Sequence, residues 1–133
     1  MKKKNLDKQI PEIYCAISII FEQGADIDKI SSSLREIGIS EIKVCKPKCE
    51  LLVSLDIAII QKEQFWYLDD ALTKMFSKID RIEQLKEVVM EHKGNFCIDI
   101  AFYQYGTYPA LEFIGENMEK IRYLEADISI DAY

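Results

Sequence analysis

The sequence predicts an α+β fold, a two-layer sandwich whose mostly antiparallel sheet carries helices on one face. Three observations predict it. Several segments alternate apolar and polar residues at period two, the mark of strands with one buried face. The segments between them carry apolar stripes at helical spacing. The elements interleave in the order βαββ-αα-ββαβ, which is economically packed as helices over one side of a sheet. At 133 residues, 49% of them hydrophobic and 30% charged, the chain is long enough to bury a real core. Residues 1–9 form a charged tail and residues 10–133 a single domain.

Ile13–Phe21 reads as the first strand, with Ile13, Cys15, Ile17, Ile19 and Phe21 on one face. Gly24 turns the chain, and Asp26 is placed to cap a helix by accepting free first-turn amides. Ile27, Ile30, Leu34 and Ile37 form that helix's stripe, and Gly38 ends it. Glu41–Cys45 is a short strand, followed by a turn at Lys46-Pro47-Lys48. Leu51–Ile60 is the next strand, with Leu51, Val53, Leu55, Ile57 and Ile59 expected on one face. Gln64–Ile79 is read as a long helix opened by the aromatic run Phe65-Trp66-Tyr67. Asp80 restarts a helix, with Glu83 completing a capping-box-like pair, and Lys93-Gly94 closes it.

The last third reads strand, turn, strand, helix, strand over Asn95–Tyr105, Ala110–Phe113, Glu116–Glu125 and Ala126–Tyr133, ending on the final strand. Phe96, Ile98, Ile100 and Phe102 take one face of the first of these; Cys97, Asp99, Ala101 and Tyr103 take the other. In the last strand Ile128 and Ile130 oppose Asp127, Ser129, Asp131 and Tyr133. The predicted sheet therefore has one greasy face and one wet, acidic, tyrosine-bearing face.

The formal net charge of -6 has the wrong sign for neutralising phosphate, so nucleic acid is not an expected partner. A basic or neutral protein is easier to accommodate. No apolar run approaches the roughly 20 residues a membrane span needs. Ile10–Phe21 is interrupted by Pro11, Glu12 and Tyr14, so it reads as a strand and not as a signal peptide. A cytoplasmic protein with reduced thiols is the expectation.

The residue inventory narrows the chemistry. Cys45 and Cys49 are the only close pair among four cysteines. A structural zinc site wants two such pairs, or one pair with two histidines, and His92 is the only histidine. Lysines around Cys45 and Cys49 would favour thiolates, but the spacing is not that of a redox pair. His92 is read as a solvated residue at a helix end, where the dipole favours a cation. Without a second histidine, a nucleophile has no obvious base. Five glycines form no phosphate loop. No enzyme activity, metal or cofactor is therefore expected.

The candidate binding residues are Asp56, Asp99, Asp127 and Asp131 on wet strand faces, together with Tyr103, Tyr105, Tyr133 and the aromatic Trp66. Tyr14 shares the wet face and adds to the case. Carboxylates on adjacent strands could converge on a metal or small ligand. Tyrosine, which pairs contact area with a polar tip, favours a protein interface.

The chain also resembles the bacterial domain-of-unknown-function family 4279. The likeness lies in Ala110-Leu111-Glu112-Phe113, in the ending from Leu124 to Asp131-Ala132-Tyr133, in Ala16-Ile17-Ser18-Ile19, and in Glu36-Ile37-Gly38-Ile39. The middle helix, Leu68–Ile79, is similar to that family's paired-helix segment. The resemblance implies an α+β fold and carries across no catalytic residue. Lys46-Pro47-Lys48-Cys49 and Leu51–Leu55 stand where the family often has a Lys-Gly turn and a tryptophan. Small acidic α+β proteins of this kind are also similar in size to immunity proteins of bacterial toxin systems, a class-level analogy. The expected function is a non-enzymatic protein-binding module, of immunity type or self-associating as a homodimer. The alternative is a small-ligand or metal-binding domain that uses the acidic face.

Overall fold

The first strand, β1 (Glu12–Glu22), is the middle of a five-stranded sheet. A computed structural model describes residues 10–45, 51–103, 109–112 and 115–133. Along the chain, β1 is followed by α1 (Ile27–Glu36), β2 (Ile42–Cys45), β3 (Leu52–Gln64), α2 (Leu68–Phe76) and α3 (Ile82–Glu91). Then come β4 (Asn95–Tyr103), α4 (Glu116–Tyr123) and β5 (Asp127–Ala132). The sheet order is β2-β3-β1-β4-β5. Its pairings are antiparallel except β4 with β5, which run parallel around the crossover that contains α4. The fold is α+β, as the patterning predicts.

One core joins the helices to one sheet face. Ile13, Cys15, Ile17 and Ile19 of β1 are fully buried, with Ile98 of β4, Leu34 of α1, Leu72 and Met75 of α2, and Leu85 and Val89 of α3. Cys15 is a small buried hydrophobe here, and burial pushes its thiol up to about 12. Asp26 caps α1 as expected, accepting from the Lys29 amide at 3.1 Å. Gly94 follows α3 where a Cβ would stand 2.5 Å from Phe21 Cε1 and 2.9 Å from Val89 Cγ1, so only glycine lets strand and helix meet. Buried Asn117 of α4 holds that crossover helix against α2. Its amide reaches Asp69 Oδ1 and Thr73 Oγ1, each at 2.9 Å.

Five expectations are corrected. Ala110–Phe113 is not a strand: Ala110 makes a single bridge to Tyr67, Leu111 and Glu112 lie outside any strand, and Phe113 is outside the described residues. The order is therefore βαββ-αα-βαβ. The long helix begins at Leu68, not Gln64, because β3 keeps its pairing with β1 as far as Gln64 opposite Glu12. Asp80 is not a cap, since Arg81 occupies that position without a capping side chain. His92 ends α3 as its C-cap but is half-buried.

The fifth correction concerns the alternation of β3. Its register slips twice against β1, and Ala58 sits at φ 52 inside the first slip. This is a bulge, which places an extra residue in one strand and exchanges the faces beyond it. Ile60 therefore joins the core cluster, and Ile59, although buried, does not. Lys78 Nζ closes the irregularity by donating to the Ile59 carbonyl at 2.7 Å.

Candidate functional site

The outer sheet face has two parts. The first is a polar chain that runs across four strands. Ser18 on β1 stands between Asp56 on β3 and Asp99 on β4, because β1 lies between those strands. Its hydroxyl is 2.7 Å from Asp56 Oδ1 and also contacts Asp99 Oδ2. The hydroxyl has one proton, so it serves one carboxylate at a time. Each carboxylate's other oxygen takes a thiol: Cys45 on β2 donates to Asp56 Oδ2 at 3.3 Å, and Cys97 on β4 donates to Asp99 Oδ1 at 3.5 Å. Ser18 and Asp56 are buried, although they lie on the face without helices.

This Cys45–Asp56–Ser18–Asp99–Cys97 chain holds protons and does not release them. Burial and the neighbouring Asp99 push the Cys97 thiol up to about 12. Burial, then the bond and charge of Asp56, raise Cys45, and Lys43 only partly offsets them. The lysine-activated thiolate considered from sequence is thus reversed at Cys45, and Cys49 lies outside the described residues. A protonated, carboxylate-bound thiol is a poor nucleophile. Among the described residues no group of three or more His, Cys, Asp or Glu is arranged to hold a metal.

The second part lies toward β5. Tyr14, Asp99, Ala101, Tyr103, Asp131 and Tyr133 line a cleft of about 340 Å³. Asp131 is registered against Ala101, which brings it beside the floor of the cleft. The Tyr133 amide donates to the Phe102 carbonyl at 3.0 Å, which continues the β4–β5 ladder to the last residue. The Tyr133 ring then stacks on Tyr103, centroids 5.0 Å apart and planes 12° apart. From the other side, Lys62 on β3 places its ammonium 4.0 Å from the Tyr103 ring centroid. Tyr14 is pushed up to about 12 by burial and then by Asp56 and Asp99, so it remains a neutral phenol.

The cleft therefore sets two aspartates among three tyrosines. The salt bridges among the described residues are Lys74–Glu63 and Lys78–Glu41, and neither reaches Asp99, Asp127 or Asp131. Such a site attracts a cation: carboxylates supply charge and ring faces supply the quadrupole.

Of the residues singled out from sequence, the structure brings Asp99, Tyr103, Asp131 and Tyr133 to one cleft. Asp56 is tied into the polar chain instead. Asp127 is exposed on β5, beside Cys97 and outside the cleft lining. Trp66 is 47% exposed just before α2, where its carbonyl accepts from the Ala110 amide, and it does not line the cleft. Tyr105 lies outside the described residues. Sequence reasoning left Ser18 and Lys62 out of the candidate site. Ser18 shared an alternating strand with Tyr14, a usable signal; Lys62 lay beyond the expected end of β3, and the two slips cancel, so that it returns to the face of Asp56.

No family model, curated protein or solved structure matches the chain. No helix among the described residues is long and apolar enough to cross a membrane.

Proposed function

We propose that this protein is a non-enzymatic, cytoplasmic binding module that takes a basic protein partner on the tyrosine-bearing half of its open sheet face. The observation that carries this reading is the cleft of Tyr14, Tyr103, Tyr133, Asp99 and Asp131, whose carboxylates have no ion-pair partner among the described residues. Lys62 over Tyr103 supports it, because the protein already places one of its own ammonium groups against these rings. Tyrosine and charge together suit an interface that anchors lysine or arginine side chains. The net charge of -6 would draw a basic partner into encounter. An immunity-type inhibitor, whose target presents a basic site, is the form of module that this size and acidity suggest by analogy.

A second reading is a small cationic ligand, favoured by the cleft volume of about 340 Å³, within the range of small-molecule sites. Calorimetric titration at low salt tests both. Tetralysine should bind, tetraglutamate should not, and added salt should weaken the binding. The double variant Asp131→Asn/Tyr133→Ser should bind tetralysine at least tenfold more weakly. Equal affinity in the variant contradicts the reading. Butylammonium binding as tightly as tetralysine would favour the small-ligand form.

A further inference from the structure

We infer that the outer edge of β5 is a strand-docking edge, and that its occupant is an extended segment of the basic partner in which lysine or arginine alternates with aliphatic residues. The inference deepens the proposed function and rests on it for the partner's charge. It starts from the position of β5, the last strand in the order, paired on one side only among the described residues. The Tyr133 amide points to β4, where it donates to Phe102. Backbone groups alternate sides along a strand, so Asp127, Ser129 and Asp131 also face β4. The amides and carbonyls of Ile128, Ile130 and Ala132 face outward. An open row of this kind is a template for another strand.

The side chains of β5 say what that strand must look like. All six of its residues are exposed. Ile128 and Ile130 stand on the helix side of the sheet, yet they remain 38% and 46% exposed because the helices do not cover them. Asp127, Ser129 and Asp131 stand on the wet side, and Asp131 and Tyr133 border the cleft. A strand added here lays alternate residues over the two isoleucines and beside the two aspartates. Aliphatic and basic residues in alternation fit both rows, and the basic row runs on into the cleft. A second copy of this chain fits poorly. Antiparallel pairing of two β5 edges centred on Ser129 sets Asp127 against Asp131 twice. Any overlapping register still crowds four carboxylates onto adjacent strands, which destabilises the pair.

The test uses an eight-residue capped peptide that alternates lysine and valine. Its control has the same composition with the lysines grouped at one end. Amide exchange in the full-length protein is read residue by residue. The alternating peptide should slow exchange at Ile128, Ile130 and Ala132 by at least tenfold, and the grouped control should not. Ile130→Pro removes an outward amide that no strand of this sheet uses, so its own pairing with β4 should persist. It should lose the alternating peptide and keep tetralysine in the cleft. Asp127→Lys, outside the cleft, supplies an independent arm: it should lose the lysine–valine peptide and gain a glutamate–valine one. Equal protection by both peptides, or wild-type binding in Ile130→Pro and Asp127→Lys, would overturn the inference. Concentration-dependent protection of the same amides without peptide would overturn it in favour of a second copy. Edge protection without tetralysine binding would leave the edge standing and remove the cleft.

Discussion

The two halves of the open sheet face use the same residue types for different ends. Toward β2, Asp56 and Asp99 share the Ser18 hydroxyl and each takes a thiol, Cys45 or Cys97, so the acidic groups are partnered from within. Toward β5, Asp131, Tyr103 and Tyr133 surround an open cleft, and its carboxylates lack an ion-pair partner among the described residues. One half binds strands to one another; the other is the half proposed above to take a cation. Asp99 belongs to both, so a substitution there reports on neither alone. A wet, acidic face is not by itself a site: what matters is which of its groups already have partners.

Ser18→Val should give the largest change in stability. It removes the hydroxyl between two carboxylates and leaves buried Asp56 with one donor fewer. The expected loss is about 1–3 kcal/mol, read by urea denaturation. A loss within about 0.5 kcal/mol, the range of ordinary surface substitutions, would mean that the polar chain does not hold the strands.

Alkaline pH should come next. Cys97 rises from 9.0 and Tyr14 from 10.0, both to about 12. Each folded group keeps its proton where the unfolded chain has lost it. Stability is therefore intact below pH 9 and falls as pH rises through 9 to 12. Cys15 contributes in the same window from the core. Cys97→Ala should flatten that fall, measured as melting temperature against pH; an unchanged slope would contradict the assignment. In the same window, iodoacetamide should modify Cys45 and Cys97 in the folded protein more slowly than in urea, read by peptide mass spectrometry.

Tyr133→Ser should have the smallest effect on stability, within about 0.5 kcal/mol, because the ring is 65% exposed. It should nevertheless weaken tetralysine binding. A large loss of stability would make the Tyr103–Tyr133 stack structural and erase the contrast between the halves.

Much of the fold beneath this contrast was legible in the sequence, and the limits have physical causes. Alternation in β1 and β4 separated Ile17 and Ile98 from Tyr14 and Asp99, because both strands remain regular. It failed in β3 between its two slips, since a bulge exchanges faces without a compositional mark. Asp26 and Gly38 marked the ends of α1, but nothing local showed that β3 would run on to Gln64 and place Lys62 over Tyr103. The division of the aspartates could not be read from sequence at all. It depends on the strand order, which sets Ser18 between Asp56 and Asp99 and leaves Asp131 at the edge.

The most direct test is a tetralysine titration at low salt, followed by backbone amide chemical shifts. Binding to the open half predicts changes at Tyr14, Ala101, Tyr103, Asp131 and Tyr133, with Lys43, Ser54 and Asp56 unmoved. Changes centred on Lys43, Ser54 and Asp56, or spread evenly over the acidic surface, would contradict the division of the face on which the account rests.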